Sequence, residues 1–403
     1  MENHSKNLTI QNNEIQCLVY SHTSKHNSLL KEKHFSQENT TINLNNTNLD
    51  FNFKLTHTKY HNDTVSNLYL DNMNQLSNQI INPHYRKTAI IDICKSIDDN
   101  KLDIGYLIYS RPGIIAALLL EIVQHYPTDK SISLSSESFE IICSIIAIFQ
   151  QIILNNKFRS DFISTGLLTY LLPYFNIECQ TDDTEHLRIS LLSLYATVTS
   201  KLSINEIEDF LLPESNTHFN DETINEERLE ITDKQVNFNS IHNTYYVLND
   251  LFKQTLKALI QCHTEIGKTI TLILLARLLN CPNQRTRLYH NRSLFNELIS
   301  CLTQMIQYMV AKFTIEIQQQ FKHKIHLYEH YDKIIFIKAK RLLHFTLECF
   351  NQLMIDLKLR NRLRHSLPIE LRSNLFSVIL LHDQDVQLWL EKIWLQLGWD
   401  KMN

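Results

Sequence analysis

His326, Glu329 and His330, in the stretch HLYEH, carry the H-x-x-E-H spelling of inverted zinc peptidases. On a helix the two histidines share one face and can grip a metal, with Glu329 placed to serve as base. No third ligand on a rigid element is evident beyond the neighbouring His323, and 19 histidines make chance spellings common. The stretch therefore reads as solvated surface, with a metal-dependent hydrolase as the rival.

A second stretch, CHTEIGKTI, ends like a phosphate-binding loop in Gly267-Lys268-Thr269. Such a loop needs an earlier glycine where Cys262 stands, and a strand feeding it. Neither is present, so the segment reads as the start of a helix. No G-x-S-x-G occurs, and no spacing of Ser, His and acidic residues selects a triad. The residues support no catalysis, and no cofactor is expected.

Charge is more informative. Between Lys322 and Arg372 eleven Lys or Arg residues face five Asp or Glu. Within KLRNRLRH, helical spacing puts Lys358, Arg362 and His365 near one face and Arg360 and Arg364 near another. An ordered basic face of this kind can hold phosphates or an acidic peptide, whereas a solvated positive face does nothing. The whole chain carries a formal net charge of −4, so only such a local patch would attract an anion.

These side chains need elements to position them, and the composition names the elements. Only 5 Gly and 7 Pro occur in 403 residues, against 43% hydrophobic residues. Scarce glycine argues against hairpins and phosphate loops and favours long helices joined by short polar corners. In SRPGIIAALLLEIVQHYP, apolar residues recur at helical spacing from Ile114 to Val123, and Ala116, Ala117 and Leu120 make the other side apolar as well. A helix apolar on every side is expected in the interior, with Ser110 capping its first turn and Pro112 near its start. Glu121 interrupts the run, and no stretch offers about 20 uninterrupted apolar residues, so no membrane span is expected.

Residues 1–65, rich in Asn, Thr, Ser, His and Lys, are expected to be a disordered extension without a secretory signal. Residues 66–403 are expected to form one helical domain with two insertions, an acidic loop at 213–240 and an arm at 311–335. The eight cysteines stand singly, without a C-x-x-C pair, and read as buried free thiols of a reducing compartment.

One signature recurs. NPHYRKTA, NNKFRSDF, CPNQRTRL and DLKLRNRL align on Arg86, Arg159, Arg285 and Arg360, each with a breaker or small polar residue shortly before the arginine. With the two insertions set aside, the spacing approaches the roughly 40–47 residues of armadillo and HEAT units. Arginines so near helix starts are expected to bridge neighbouring helices. The fold class is all-α, an armadillo-type helical-repeat superhelix.

Taken in order, the blocks carry a resemblance. GIIAALLLEIVQHYP, EHLRISLLSLYATV, EIGKTITLILLARLL, RLLHFTLECFNQL and the closing LWLEKIWLQL resemble successive helices of the required-for-cell-differentiation proteins. That family is the armadillo-repeat subunit of the CCR-NOT mRNA deadenylase complex, and the likeness runs from about Leu68 to Leu397. It implies a cytoplasmic, non-catalytic adaptor, with P-bodies and the nucleus as further locations and a homodimer left open. Its implied partners are the Not scaffold, peptide motifs of RNA-binding regulators, and nucleic acid along a basic groove. Residue by residue, Gly113, Ala116 and Val123 match the scaffold-binding helix, while Ser110 and Pro112 replace the family's histidine and phenylalanine. Ile270, Arg341, Lys358, Arg360 and Arg364 match groove positions. The family's Tyr-x-Arg of a tryptophan pocket falls on Arg292-Ser293-Leu294, which supplies neither aromatic wall nor cation in that order.

Overall fold

The computed structural model describes residues 63–97, 103–126, 134–178, 181–211, 251–322, 329–372 and 384–398, with 313–322 and 329–340 described in backbone only. Every regular element among them is helical, as the composition predicts. The expected N-terminal extension, up to residue 62, and the acidic loop lie outside the described residues. Two compact units form, one from the chain up to Glu121 with Glu140–Phe158, the other from Ile122–Phe139 with Arg159 onward.

In the first unit α1 (Asp63–Ile81) packs on α2 (Arg86–Ser96). Then come α3 (Ile104–Tyr109), most of α4 (Ile114–Gln124) and most of α5 (Ser136–Leu154). Met73, Ile80, Ile90 and Ile93 are fully buried, as are Ile108, Leu118, Ile145 and Phe149. Gly105 lets α3 meet α5 closely, because a Cβ there would collide with the backbone of Gln151 and Ile152. Arg111 secures the α3–α4 corner by donating to the Asn74 carbonyl at 2.8 Å and to Asn78 Oδ1 at 3.0 Å.

Helix α5 alters one expectation. Among the described residues it is the one helix long and apolar enough to cross a membrane, yet 67% of that stretch is buried inside the protein. Its Ile-rich faces are core, which produces the same composition as a spanning helix.

The second unit runs through α6 (Arg159–Ser164), a 3₁₀ segment (Leu167–Asn176), α7 (Asp182–Lys201) and α8 (Ile204–Leu211). It resumes with α9 (Leu251–Gln261), α10 (Glu265–Asn280), α11 (Pro282–His290), α12 (Arg292–Lys322) and α13 (Glu329–Met354). A short α14 (Leu357–Ser366), a 3₁₀ turn (Ile369–Arg372) and α15 (Gln384–Leu397) close it. The predicted arm falls on the end of α12 and the start of α13, with 323–328 outside the described residues.

Helix α10 lies between α7 and α13 and is buried on all sides from Gly267 to Leu279. Buried threonines in α10 and its neighbours bond within their own helices. Thr271 donates to the Gly267 carbonyl, Thr346 to Leu342 and Thr255 to Leu251, each at 2.7 Å, so these hydroxyls enter the core satisfied. Thr181 opens α7 with a reciprocal cap to Thr184. In α15, Leu390, Ile393 and Leu397 form the expected packed stripe, and Trp394 Nε1 donates to the Leu371 carbonyl at 3.2 Å. Trp399 lies outside the described residues.

Candidate partner-binding surfaces

Helix α4 starts later than its sequence suggests. Gly113 holds φ +85°, the left-handed region that favours glycine, and Ile114 is the first helical residue. Ser110 ends α3 instead of capping α4, because the chain needs that glycine turn between the two helices. Ile114, Leu118 and Ile122 are buried, as expected. The opposite side is not interior. Gly113 and Ala116 are exposed, Leu120 is 45% exposed and Val123 42%. Ala116, Leu120 and Val123 recur at i, i+4 and i+7, one continuous stripe on the helix, with Gly113 in the turn just before it. The three residues matched to the scaffold-binding helix therefore share an exposed face, and Leu120 joins them.

Three of the four signature arginines behave as junctions. Arg86 Nε donates to the Ile80 carbonyl at 2.8 Å, and its Nη2 to Ile81 at 3.3 Å. Arg285 Nη1 donates to the carbonyls of Leu279 at 2.8 Å and Asn280 at 2.7 Å. Arg360 Nε donates to Met354 at 2.9 Å. Each reaches back five or six residues to the open carbonyls ending the preceding helix, where a fork of donors is most useful. Arg159 opens α6 at the corresponding place, its pKa lowered by burial against an opposing pull from Glu206.

This geometry bears on two groove assignments. Arg360 commits its Nε to the Met354 carbonyl, so part of its guanidinium serves as a helix cap. Ile270 has 0% exposure inside α10 and cannot touch a ligand, since the apolar run around it belongs to the core. Arg341 is half-buried on α13, while Lys358 and Arg364 are exposed on α14.

Around Lys358 the structure assembles a group that spacing could not reveal. Lys358 Nζ lies 4.6 Å, and the Arg362 guanidinium 4.7 Å, from the centre of the Tyr289 ring. Arg362 is also 5.8 Å from the Phe295 ring and donates to the Leu288 carbonyl at 3.5 Å. Asp356 caps α14 by accepting from the backbone N–H groups of Lys358 and Leu359. Tyr289 sits on α11, far from α14 in sequence, so only the turn that pairs these helices brings ring and cations together.

The GKT segment is helix, as predicted. Thr264 caps α10 by accepting from Gly267 N–H at 3.1 Å, and a Cβ on Gly267 would approach Cys262 Sγ and Thr264 Oγ1 to 3.0 Å. Lys268 Nζ is buried and donates to the Cys262 carbonyl, and burial pulls its pKa down. Lys312 pairs with Glu265; burial pulls its pKa down, but its hydrogen bonds to Glu265 and Tyr308 and their charges together outweigh that and raise it. The loop entering α10 is anchored by Glu185, whose Oε1 accepts from His263 N–H and Thr264 N–H at 3.0 Å and from the Thr264 hydroxyl at 2.9 Å.

The six cysteines among the described residues are outside any disulfide there; Cys262, Cys281, Cys301 and Cys349 are buried, while Cys94 and Cys143 are partly covered. Burial pushes the thiols of Cys281 and Cys301 up to about 11. His323 and His326 of the H-x-x-E-H stretch lie outside the described residues, and Glu329 and His330 are described in backbone only. Among the described residues no cluster of three or more His, Cys, Asp or Glu could hold a metal.

Residues 76–219 match the model of the cell differentiation family, Rcd1-like. The chain is 19% identical over 320 residues to cell differentiation protein rcd1 of Schizosaccharomyces pombe, covering 79% of this chain and 91% of that protein. It is 18% identical over 296 residues to protein CAF40 of Saccharomyces cerevisiae, covering 73% of this chain and 63% of that protein. An all-helical fold accompanies these similarities, and residues 76–219 carry the likeness to the Rcd1-like cell differentiation family.

Proposed function

We propose that this chain is a non-catalytic adaptor of the CCR-NOT mRNA deadenylase complex, docking on the Not scaffold and presenting a second, basic surface to regulators of mRNA decay and translation. One observation carries the reading: the exposed stripe Gly113, Ala116, Leu120 and Val123 on a helix whose other side is core. A row of small and branched apolar side chains held on a rigid helix suits close approach by a partner helix. Similarity to the Rcd1-like cell differentiation family supports the same assignment. The adaptor would work in the cytoplasm, by binding alone.

A tagged pull-down read by mass spectrometry tests this. Scaffold and nuclease subunits should be recovered with the native chain and lost with Ala116→Glu/Val123→Glu, while the thermal midpoint stays within a few degrees. Absence of those subunits from the native pull-down would overturn the reading.

A nucleic-acid-binding role is the second reading, favoured by the exposed Lys358 and Arg364 on α14. It requires affinity that falls steeply with salt.

A further inference from the structure

The basic face of α14 is built around an aromatic ring that is already covered. Lys358 and Arg362 stand one turn apart and both contact the half-buried Tyr289 ring, at 4.6 and 4.7 Å from its centre. A ring in this position stabilises each cation and restricts its long side chain, so charges normally free to wander are held as a pair. Among the described residues neither Lys358 nor Arg362 forms an ion pair with a carboxylate, and neither does the exposed Arg364. Asp356, the nearest acid in sequence, is used as the helix cap.

Three ligand chemistries fit a basic face, and the geometry separates them. An aromatic anchor such as tryptophan needs an open ring or an apolar slot. Here the ring is covered by cations, and Ile270 is sealed in the core. Single-stranded RNA binds by stacking bases on aromatic faces along a cationic track. The Tyr289 ring beneath these cations is already covered by them, and the basic set spans a single short helix. Carboxylates spaced along a peptide need only fixed cations with free N–H groups, which is what α14 offers.

We propose that Lys358 and Arg362, organised on Tyr289, form a docking site for an acidic peptide segment, a run of Asp and Glu without an aromatic anchor. This rests on the adaptor reading, and it names the chemistry of the regulators that the basic surface takes.

Fluorescence anisotropy on the full chain tests it, with three labelled probes of equal length: an Asp/Glu-rich 12-residue peptide, a Gly/Trp peptide and oligo(U). The acidic peptide should bind saturably and most tightly. Lys358→Ala/Arg362→Ala should weaken it at least tenfold, Tyr289→Ala several-fold, and Tyr289→Phe less than twofold, because the ring face persists. Circular dichroism melts confirm that each variant is folded. The proposal is overturned if the double variant binds like the native chain, if Tyr289→Ala has no effect, or if oligo(U) or the Trp peptide binds more tightly. Ala116→Glu/Val123→Glu should leave peptide affinity unchanged. Scaffold loss from the native pull-down with peptide binding intact therefore refutes the adaptor reading alone.

Discussion

Arg86 Nη1 stands 3.2 Å from Glu121 Oε1, with both side chains almost wholly buried, so the first residue of α2 is tied to the last turns of α4. The same guanidinium caps α1 through Ile80 and Ile81. One side chain thus joins three helices of the first unit. Glu121, the residue that breaks the apolar run of α4, is explained by it: the carboxylate faces this arginine and not a solvent or lipid.

Arg86→Ala should destabilise the protein by about 3–5 kcal/mol, because it strips the cation from a buried carboxylate and opens the end of α1. Adding Glu121→Gln should recover part of the loss, since the buried charge is then gone as well. Denaturant midpoints of the two single variants and the double variant measure the coupling, and additive losses would show that the pair does not act as a unit.

Among the described residues Arg285 forms no ion pair, but it holds two carbonyls at the end of α10. Arg285→Lys should cost about 1.5–3 kcal/mol, because a point ammonium cannot reproduce the fork that serves Leu279 and Asn280 together. A urea titration that places Arg285→Lys within experimental error of the native chain would contradict the capping role.

The junction arginines were legible in the sequence because their partners are local, five or six residues back in the chain. The helical class was legible for a similar reason, through glycine scarcity and apolar periodicity. What escaped was facing. Helix α4 is apolar on every side, so periodicity could not tell its buried row of Ile114, Leu118 and Ile122 from its exposed row of Ala116, Leu120 and Val123. Ile270 looked like a groove position by alignment and is core by burial. Tyr289 carries no motif at all. Its role depends on α11 and α14 meeting across a long stretch of chain, a relation that no local pattern records.

Glu185 makes the largest demand on a single oxygen, accepting three donors at the mouth of α10. Glu185→Ala should cost about 3 kcal/mol, since two backbone N–H groups and the Thr264 hydroxyl lose a charged acceptor. Glu185→Gln should keep more than half of the native stability contribution, because a neutral oxygen still accepts at the same place. Faster amide exchange at His263 and Thr264 in Glu185→Ala would locate the damage.

The raised thiols give stability an alkaline limit. Burial first, then the nearby Glu208, lifts Cys281 to about 11 from an ordinary value of 9.0, and burial with Glu297 does the same for Cys301. The folded state therefore holds these protons more tightly than the unfolded chain. Their contribution is complete below pH 9, falls as pH rises, and is gone above pH 11. Each thiol should account for a loss of up to about 2–3 kcal/mol across that window. Other groups titrate there too, so the readout is the difference in slope: stability of Cys281→Ala should decline less steeply between pH 9 and 11 than that of the native chain. Equal slopes would show that Cys281 reaches solvent in the folded state.

Gly105 sets how closely α3 can approach α5. A Cβ at that position would collide with the Gln151 carbonyl and the Ile152 Cα, both backbone atoms inside a helix, which cannot rotate aside as a side chain can. Gly105→Ala should destabilise by about 1–3 kcal/mol, an overpacking cost that overrides the helix propensity alanine would otherwise add. Gly166 gives the contrast within the same protein: its φ of +68° is strained for alanine, yet a Cβ there meets nothing within 4 Å. Its substitution should cost about 1 kcal/mol, from backbone conformation alone. Thermal midpoints that rank Gly166→Ala as the more damaging of the two would mean that the α3–α5 contact yields more easily than its backbone geometry implies.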